Sequence, residues 1–121
     1  MSQNIYKKLA RRLDAIPNGF PETKSGVELK ILAKLYTPQE AALASEMRLN
    51  PESATQIAQR THQDPAKTTA LLEEMVQKGL IHAIGKGEQR EFGLMPMAVG
   101  VYEEQLDRMD EELARLFEEY Y

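Results

Sequence analysis

The sequence contains no cysteine among its 121 residues. This segment therefore offers no disulfide, no thiolate nucleophile and no cysteine ligands for zinc or an iron–sulfur cluster. Histidine is scarce as well, because only His62 and His82 are present. Neither has a sequence neighbour at metal-ligand spacing, so structural or surface roles are favoured over ligation. We expect no cofactor and no metal in this segment.

Long apolar runs are also missing, and no stretch reaches the length that a membrane-spanning helix needs. The first residues form a basic amphipathic pattern, which differs from the apolar core of a signal peptide. A cytoplasmic location without a membrane partner is therefore predicted.

No set of polar residues in the sequence has the spacing of a catalytic site. Neighbouring glutamates such as Glu73 and Glu74 lie on predicted helices, where adjacent side chains point about 100° apart and do not converge as an acid/base pair. Gly85 and Gly87 lie in a predicted hairpin, whereas a phosphate-binding loop lies between a strand and a helix. We therefore predict that the chain is not an enzyme.

Charge is distributed unevenly within a net charge of −4. Residues 1–36 carry seven Lys or Arg against three acids, a balance of +4, and residues 37–98 carry six against eight, a balance of −2. Residues 99–121 carry two against eight, a balance of −6. The basic first helix and the acidic last helix are expected to be neighbours, within one chain or across a dimer, although each exposed ion pair contributes only about 0.2–1 kcal/mol.

The central part of the chain carries the signals of two helices joined by a three-residue turn. The first helix is predicted over residues 52–61 and the second over residues 65–78. Asp64 can accept hydrogen bonds from the first amides of the second helix, Pro65 suits its first position, and Gly79 suits its end. One face of the second helix is apolar and must be buried. Its residues are Thr68, Leu71, Leu72 and Met75.

A β-hairpin is predicted directly after these helices. Two short strand-like runs, residues 80–84 and 89–94, are joined by residues 85–88, which tolerate positive φ angles. The order helix, turn, helix and hairpin over residues 51–94 is typical of a winged helix-turn-helix. The predicted fold class is therefore mostly α with a small β wing and with extra helices at both ends.

Three helices and a third strand are predicted before this motif. The first helix is predicted over residues 4–16. Ser25 and Glu28 fit a capping box at the start of the second helix, and Thr37 caps the third. Residues 47–49 are expected to add a short strand beside the wing. We describe the whole chain as one domain, with residues 1–50 forming the helical N-terminal part.

The last helix, over about residues 99–120, has an apolar seam with 4-3-4-3-4 spacing. We refer to these residues as the terminal seam: Tyr102, Leu106, Met109, Leu113, Leu116 and Tyr120. In one interpretation this seam lies on the first helix of the same chain. In the other it is the interface of a homodimer, and the pattern leaves both open.

The helix-turn-helix motif suggests nucleic-acid binding, but the charge of the motif argues against that function. Residues 51–94 hold five cations and six anions, whereas phosphate neutralisation supplies much of the affinity for DNA. Ala66 and Ala70 occupy positions where longer polar side chains would read base edges. Weak or absent DNA binding is therefore favoured over specific binding. If the chain does bind DNA, the candidate contacts are Lys67, Thr69, Lys86 and Arg90.

Residues 64–81, with the ending Glu-Glu-Met-Val-Gln-Lys-Gly-Leu-Ile, resemble the winged helices of the MarR-type bacterial regulators. This resemblance implies a DNA-binding transcriptional regulator whose terminal helices form a dimer. The alanines at positions 66 and 70 depart from the polar or basic residues that such regulators often carry there.

A second resemblance covers nearly the whole chain. It is carried by residues 6–10, 17–21, 25–29, 37–44 and 111–120. These segments resemble the N-terminal region of bacterial and archaeal 4Fe-4S ferredoxin-type proteins of anaerobes, in which a winged-helix region precedes a cysteine-rich domain that binds two clusters.

The resemblance implies a docking or dimerising module that meets a protein partner in an electron-transfer protein. No cysteine-rich domain follows here, and the sequence stops inside a helical pattern. We therefore expect the segment to be truncated from a longer iron–sulfur protein, with the clusters in the missing C-terminal part.

Overall fold

A computed structural model describes residues 2–121, and it describes the side chains of residues 5–98 and 100–121. The chain is mostly helical, with one small antiparallel sheet, which confirms the predicted balance of helix and strand. The first helices are α1 (Ser2–Asp14), α2 (Val27–Leu35), α3 (Pro38–Ala44), α4 (Ala54–Thr61) and α5 (Pro65–Gln77). The strands are β1 (Glu52–Ser53), β2 (Ile81–Ile84) and β3 (Glu91–Leu94), and the last helices are α6 (Tyr102–Gln105) and α7 (Glu111–Tyr120). No helix among the described residues is both long and apolar enough to cross a membrane.

The sheet has the order β1-β3-β2, with β3 in the centre. β2 and β3 form the predicted hairpin, with Ile84 opposite Glu91. The third strand was predicted at residues 47–49, and this position is wrong. β1 lies later in the chain, where Glu52 is opposite Phe92. The predicted segment still runs beside the sheet, because the Arg48 carbonyl accepts a hydrogen bond of 3.0 Å from the Leu94 amide.

Short-range capping signals explain where several helices begin. Thr37 and Glu40 form the predicted capping box of α3. The Asp64 carboxylate accepts from the Lys67 amide at 2.9 Å and begins α5, as predicted. Gly79, the second residue after α5, has the expected left-handed conformation with a φ of +74°. These contacts fix α5 between a defined start and a defined end.

The predicted capping box of Ser25 with Glu28 is wrong. The residue that precedes α2 is Gly26, which has a φ of +74° and no side chain with which to cap. The Glu28 carboxylate accepts instead from the Thr23 amide at 3.1 Å and from the Thr23 hydroxyl at 2.6 Å. Glu28 thus bonds to a residue five positions before it, whereas a capping box uses a spacing of three.

The core contains the predicted face of α5. Thr68, Leu72 and Met75 are buried, whereas Leu71 is only half-buried. Leu72 and Met75 join side chains from α1, α2, α3, α4, α7 and the sheet in one hydrophobic cluster. The stripe that the 3.6-residue period predicts is therefore packed against the rest of the chain.

The predicted helix over residues 99–120 is interrupted. A π-helical turn (Met97–Val101) leads into α6, a 3-10 turn (Leu106–Arg108) follows, and Met109 is extended. α7 then begins anew, because the Asp110 carboxylate accepts a hydrogen bond of 2.7 Å from the Leu113 amide. The expectation of one continuous seam helix is therefore wrong.

α7 packs mainly against α2, and the expectation that it lies on α1 is wrong for this chain. Lys34 of α2 pairs with Asp110 at 3.0 Å and with Glu112 at 2.7 Å. The acidic last helix thus meets a cation of the second helix. With the helix interrupted, the terminal seam does not form one buried face. Leu113 is buried and Leu106 is exposed, while four members are half-buried: Tyr102, Met109, Leu116 and Tyr120.

Candidate functional site

The candidate nucleic-acid contacts lie on α5 and on the hairpin. Lys67 and Thr69 are exposed on the first half of α5, and Lys86 is exposed in the hairpin loop. The Thr69 hydroxyl donates to the Pro65 carbonyl at 2.9 Å, so its proton is already used within the helix. In the part of the chain that the structure describes, Lys67 and Lys86 form no ion pair. These two lysines are the cations that this surface offers to a phosphate.

Arg90, the fourth candidate, is engaged by a carboxylate of α5. Its Nε lies 2.6 Å from Glu73 Oε2, and its Nη2 lies 2.8 Å from Glu73 Oε1. The guanidinium also lies 5.4 Å from the ring centre of Phe92. The hydrogen bond from Arg90 lowers the pKa of Glu73 below its ordinary value. A bidentate pair of this kind fixes both side chains, so Arg90 is not free for a phosphate.

A second bidentate pair involves Arg60 at the end of α4. Its Nη2 and Nε lie 2.6 Å and 3.1 Å from the two carboxylate oxygens of Glu52. Its Nη1 donates to the Glu46 carbonyl at 2.7 Å. The pair ties α4 to β1, which is a structural role.

Glu40 is a carboxylate whose side chain is 0% exposed. Its oxygens accept from Lys78 Nζ at 2.8 and 3.0 Å and from the Thr37 amide at 2.8 Å. Burial alone would raise the pKa of Glu40, but hydrogen bonds from Glu74, Lys78 and the Thr37 amide outweigh it and lower that pKa. The hydrogen bond to Glu40 raises the pKa of Glu74. This cluster joins the start of α3 to the end of α5.

A groove with a volume of about 680 Å³ lies between α1, α3 and the turn that joins α4 to α5. We call it the helical groove. Its apolar floor is formed by Ile5, Ala42, Leu43 and Leu71. Charged side chains also line it, and they are Lys8, Glu46, Arg60, Asp64 and Lys67, with His62 beside them. The sequence patterns did not predict this groove, because its walls come from helices far apart in the chain.

A smaller cavity of about 320 Å³ lies beside the C-terminal aromatic residues. The rings of Phe20 and Tyr120 are 5.0 Å apart, and the Tyr120 hydroxyl donates to the Pro21 carbonyl at 2.7 Å. Burial, followed by nearby negative charges, raises the pKa of Tyr120 to about 12. Phe20 is thus packed against α7.

Metal ligation is not indicated among the described residues. No group of three or more His, Asp or Glu side chains in this part of the chain is arranged to hold a metal ion. Glu40 and Glu74 lie together, but the third member of that cluster is the cation Lys78.

No protein-family model, curated protein or solved structure matches this chain. Its function must therefore be argued from the surfaces described above. The two that carry an argument are the face shared by α5 and the hairpin, and the smaller cavity beside the C-terminal aromatic residues.

Proposed function

We propose that this chain is a non-catalytic winged-helix docking module of a 4Fe-4S ferredoxin-type electron-transfer protein. The resemblance in five segments between residues 6 and 120 supports the family. The order of elements supports the winged helix-turn-helix, because α4, a short turn and α5 are followed by a hairpin whose central strand also pairs with β1. Fold alone does not decide function, so the exposed surface must carry that part of the argument.

The ion pair between Glu73 and Arg90 is the observation that carries the proposal. In a winged helix that binds DNA, the second helix of the motif and the wing approach the nucleic acid together. Here that surface is linked by a bidentate pair in which the charge of Arg90 is neutralised. Arg60 and Lys78 are paired with carboxylates as well. A surface with so few available cations is poorly suited to release counterions from DNA, which favours a protein partner.

Titration of a fluorescein-labelled DNA duplex with the chain, at roughly 50 and 200 mM salt, tests whether the chain binds DNA. We expect no binding with a sub-micromolar Kd at either salt concentration. Sub-micromolar binding that weakens in Lys67→Ala and Lys86→Ala would overturn the proposal and favour the MarR-like regulator. Lys30→Ala, an exposed lysine on α2, is the matched control.

The regulator is the second candidate because Lys67, Thr69 and Lys86 are exposed on the elements that would meet DNA. Glu73→Gln tests whether the ion pair keeps Arg90 away from DNA, since it removes the anion that pairs with Arg90. We expect this variant to gain weak, salt-sensitive affinity for DNA, with a slope against salt steeper by about one phosphate contact. No change in that slope would show that Arg90 does not limit DNA binding.

The electron-transfer part of the proposal is tested by iron content. A 4Fe-4S cluster needs cysteine thiolates, so residues 1–121 should purify colourless and free of iron. The full natural protein that contains this segment should be brown when it is purified without oxygen. A natural protein with no cysteine-rich domain would refute this part.

A further inference from the structure

The smaller cavity, of about 320 Å³, has two perpendicular aromatic rings in its wall. They belong to Tyr120 and Tyr121, whose ring centres are 4.9 Å apart and whose planes meet at 84°. Tyr120 is held in place, because Phe20 packs on its ring and its hydroxyl donates to the Pro21 carbonyl. Tyr121 is 68% exposed, so its ring is open to a ligand. We call this site the aromatic cavity, and it has one fixed wall and one accessible wall.

The charge of the lining is negative. Among the described residues that line the aromatic cavity, Glu22 is the one with a charged side chain. Glu22 is exposed, and it forms no ion pair in the part of the chain that the structure describes. Lys24 is exposed nearby but does not line the cavity. Burial and then nearby negative charges raise the pKa of Tyr120. The site is therefore suited to a cation and not to an anion.

The remaining walls decide which kind of cation fits. Aromatic faces attract a positive charge, and Pro21 and Ala98 add apolar surface to the lining. An unmodified ammonium group is compact and strongly hydrated, so it loses its water at a high cost. A quaternary ammonium group carries methyl groups around its charge and can contact rings and apolar walls directly.

We propose that the aromatic cavity binds a quaternary ammonium group. Its methyl groups contact the rings of Tyr120 and Tyr121, and the carboxylate of Glu22 offsets its charge. This inference is independent of the proposed docking function, because the aromatic cavity shares no lining residue with the helical groove and contains no residue of α5 or the hairpin. Its failure would leave that function standing.

Binding is measured by NMR, as the shift of tyrosine ring resonances during titration with tetramethylammonium. We expect a saturable shift of Tyr120 and Tyr121 with a Kd on the order of 1 mM. Tyr6 and Tyr36 do not line the cavity, and their resonances should not move. The matched control is tert-butanol, which has a similar shape and no charge. We expect no saturable shift with it.

A second arm distinguishes a free ion from a modified protein side chain. A short peptide with one trimethyllysine is titrated beside the same peptide with unmodified lysine. Binding of the methylated peptide that is tighter than binding of tetramethylammonium supports the inference and assigns the group to a protein. Equal binding of the methylated peptide and tetramethylammonium supports the inference and assigns the group to a free ion.

Two charge variants of nearly unchanged shape place the ligand, and they act in opposite directions. Glu22→Gln removes the carboxylate and should raise the Kd of tetramethylammonium roughly twofold to fivefold. Asn18→Asp adds a carboxylate at an exposed residue of the lining and should lower that Kd by a similar factor. Aspartate tolerates the left-handed conformation of Asn18, which has a φ of +76°. Glu88→Gln in the hairpin loop is the matched control and should leave the Kd unchanged.

The aromatic wall is tested at Tyr121, because its exposed ring can be changed without disturbing Phe20. Tyr121→Leu should raise the Kd roughly twofold to fivefold, as for the loss of one exposed cation–π contact. Tyr121→Phe keeps the ring and should bind like wild type. Circular dichroism establishes that all the variants remain folded.

Several results would overturn the inference. One is the absence of a saturable shift at roughly tenfold above the expected Kd. Others are equal binding of tetramethylammonium and tert-butanol, and equal binding of the methylated and unmethylated peptides. Glu22→Gln that binds like Glu88→Gln, or Tyr121→Leu that binds like Tyr121→Phe, would show that the ligand lies elsewhere.

Discussion

Leu113→Ala is expected to destabilise the chain far more than Leu106→Ala. Leu113 is 4% exposed and packs in the core at the start of α7, whereas Leu106 is 54% exposed in a 3-10 turn. Both substitutions remove the same atoms from residues seven positions apart. The comparison therefore isolates burial from side-chain chemistry.

The expected magnitude follows from the cavity that the smaller side chain leaves. Replacing a buried leucine by alanine removes its transfer free energy and leaves a void, which together cost about 2–5 kcal/mol. Alanine is the best helix former, so loss of helix propensity does not add to this cost. At Leu106 water already covers about half of the side chain, and we expect a loss of roughly 0.5 kcal/mol or less.

Urea unfolding followed by circular dichroism measures both variants. For a slope of about 2 kcal/mol per molar, Leu113→Ala should lower the midpoint by roughly 1–2.5 M, and Leu106→Ala by about 0.25 M or less. The slope must stay unchanged for this comparison to report stability. Equal midpoint shifts would refute the interrupted C-terminal segment and favour a continuous helix with one buried seam.

Two further predictions concern the end of α5. Gly79→Ala should lower the thermal midpoint more than Gly26→Ala. Both glycines have a φ of +74°, a conformation that costs an alanine about 1–2 kcal/mol. Only at Gly79 would the new Cβ also lie 2.7 Å from Glu104 Cβ. Equal midpoints would contradict this contact. Glu40→Gln should cost roughly 1–3 kcal/mol at pH 7, because it weakens a buried contact with Lys78. Since the folded pKa of Glu40 is lowered from 4.5, its stabilisation is present above that value and is lost as pH falls through the folded pKa. The difference between wild type and variant, measured by urea unfolding, should therefore shrink as the pH is lowered from 4.5 through the folded pKa, and a constant difference would contradict the role of this carboxylate.

The sequence predicts the starts and ends of helices well where the signal is local. Thr37, Asp64 and Gly79 act on backbone groups within a few residues, so their roles follow from spacing and side-chain chemistry. Ser25 fails as a cap because the glycine beside it turns the chain and allows Thr23 to take its place. A single positive φ is enough to shift a local pattern.

The pairs that decide the surface could not be read from spacing. Glu73 and Arg90 are 17 residues apart, and Lys78 and Glu40 are 38 apart, so each pair depends on how the helices pack. The division of the last helix did have a sequence signal. Asp110 is a good N-cap residue and is followed by two glutamates, as at the start of a helix. The heptad spacing of the terminal seam concealed this signal.

The helix α5 connects the helical groove to the C-terminal part of the chain. Lys67 and Leu71 lie in its first half and line the groove. At its other end, Gln105 Nε2 donates to the Lys78 carbonyl at 3.0 Å and Arg108 Nη1 donates to the Gln77 carbonyl at 3.0 Å.

The last carbonyls of a helix have no partner within it, so these side chains satisfy groups that would otherwise need water. The segment that leads into α7 is thereby attached to the same helix that forms one wall of the groove.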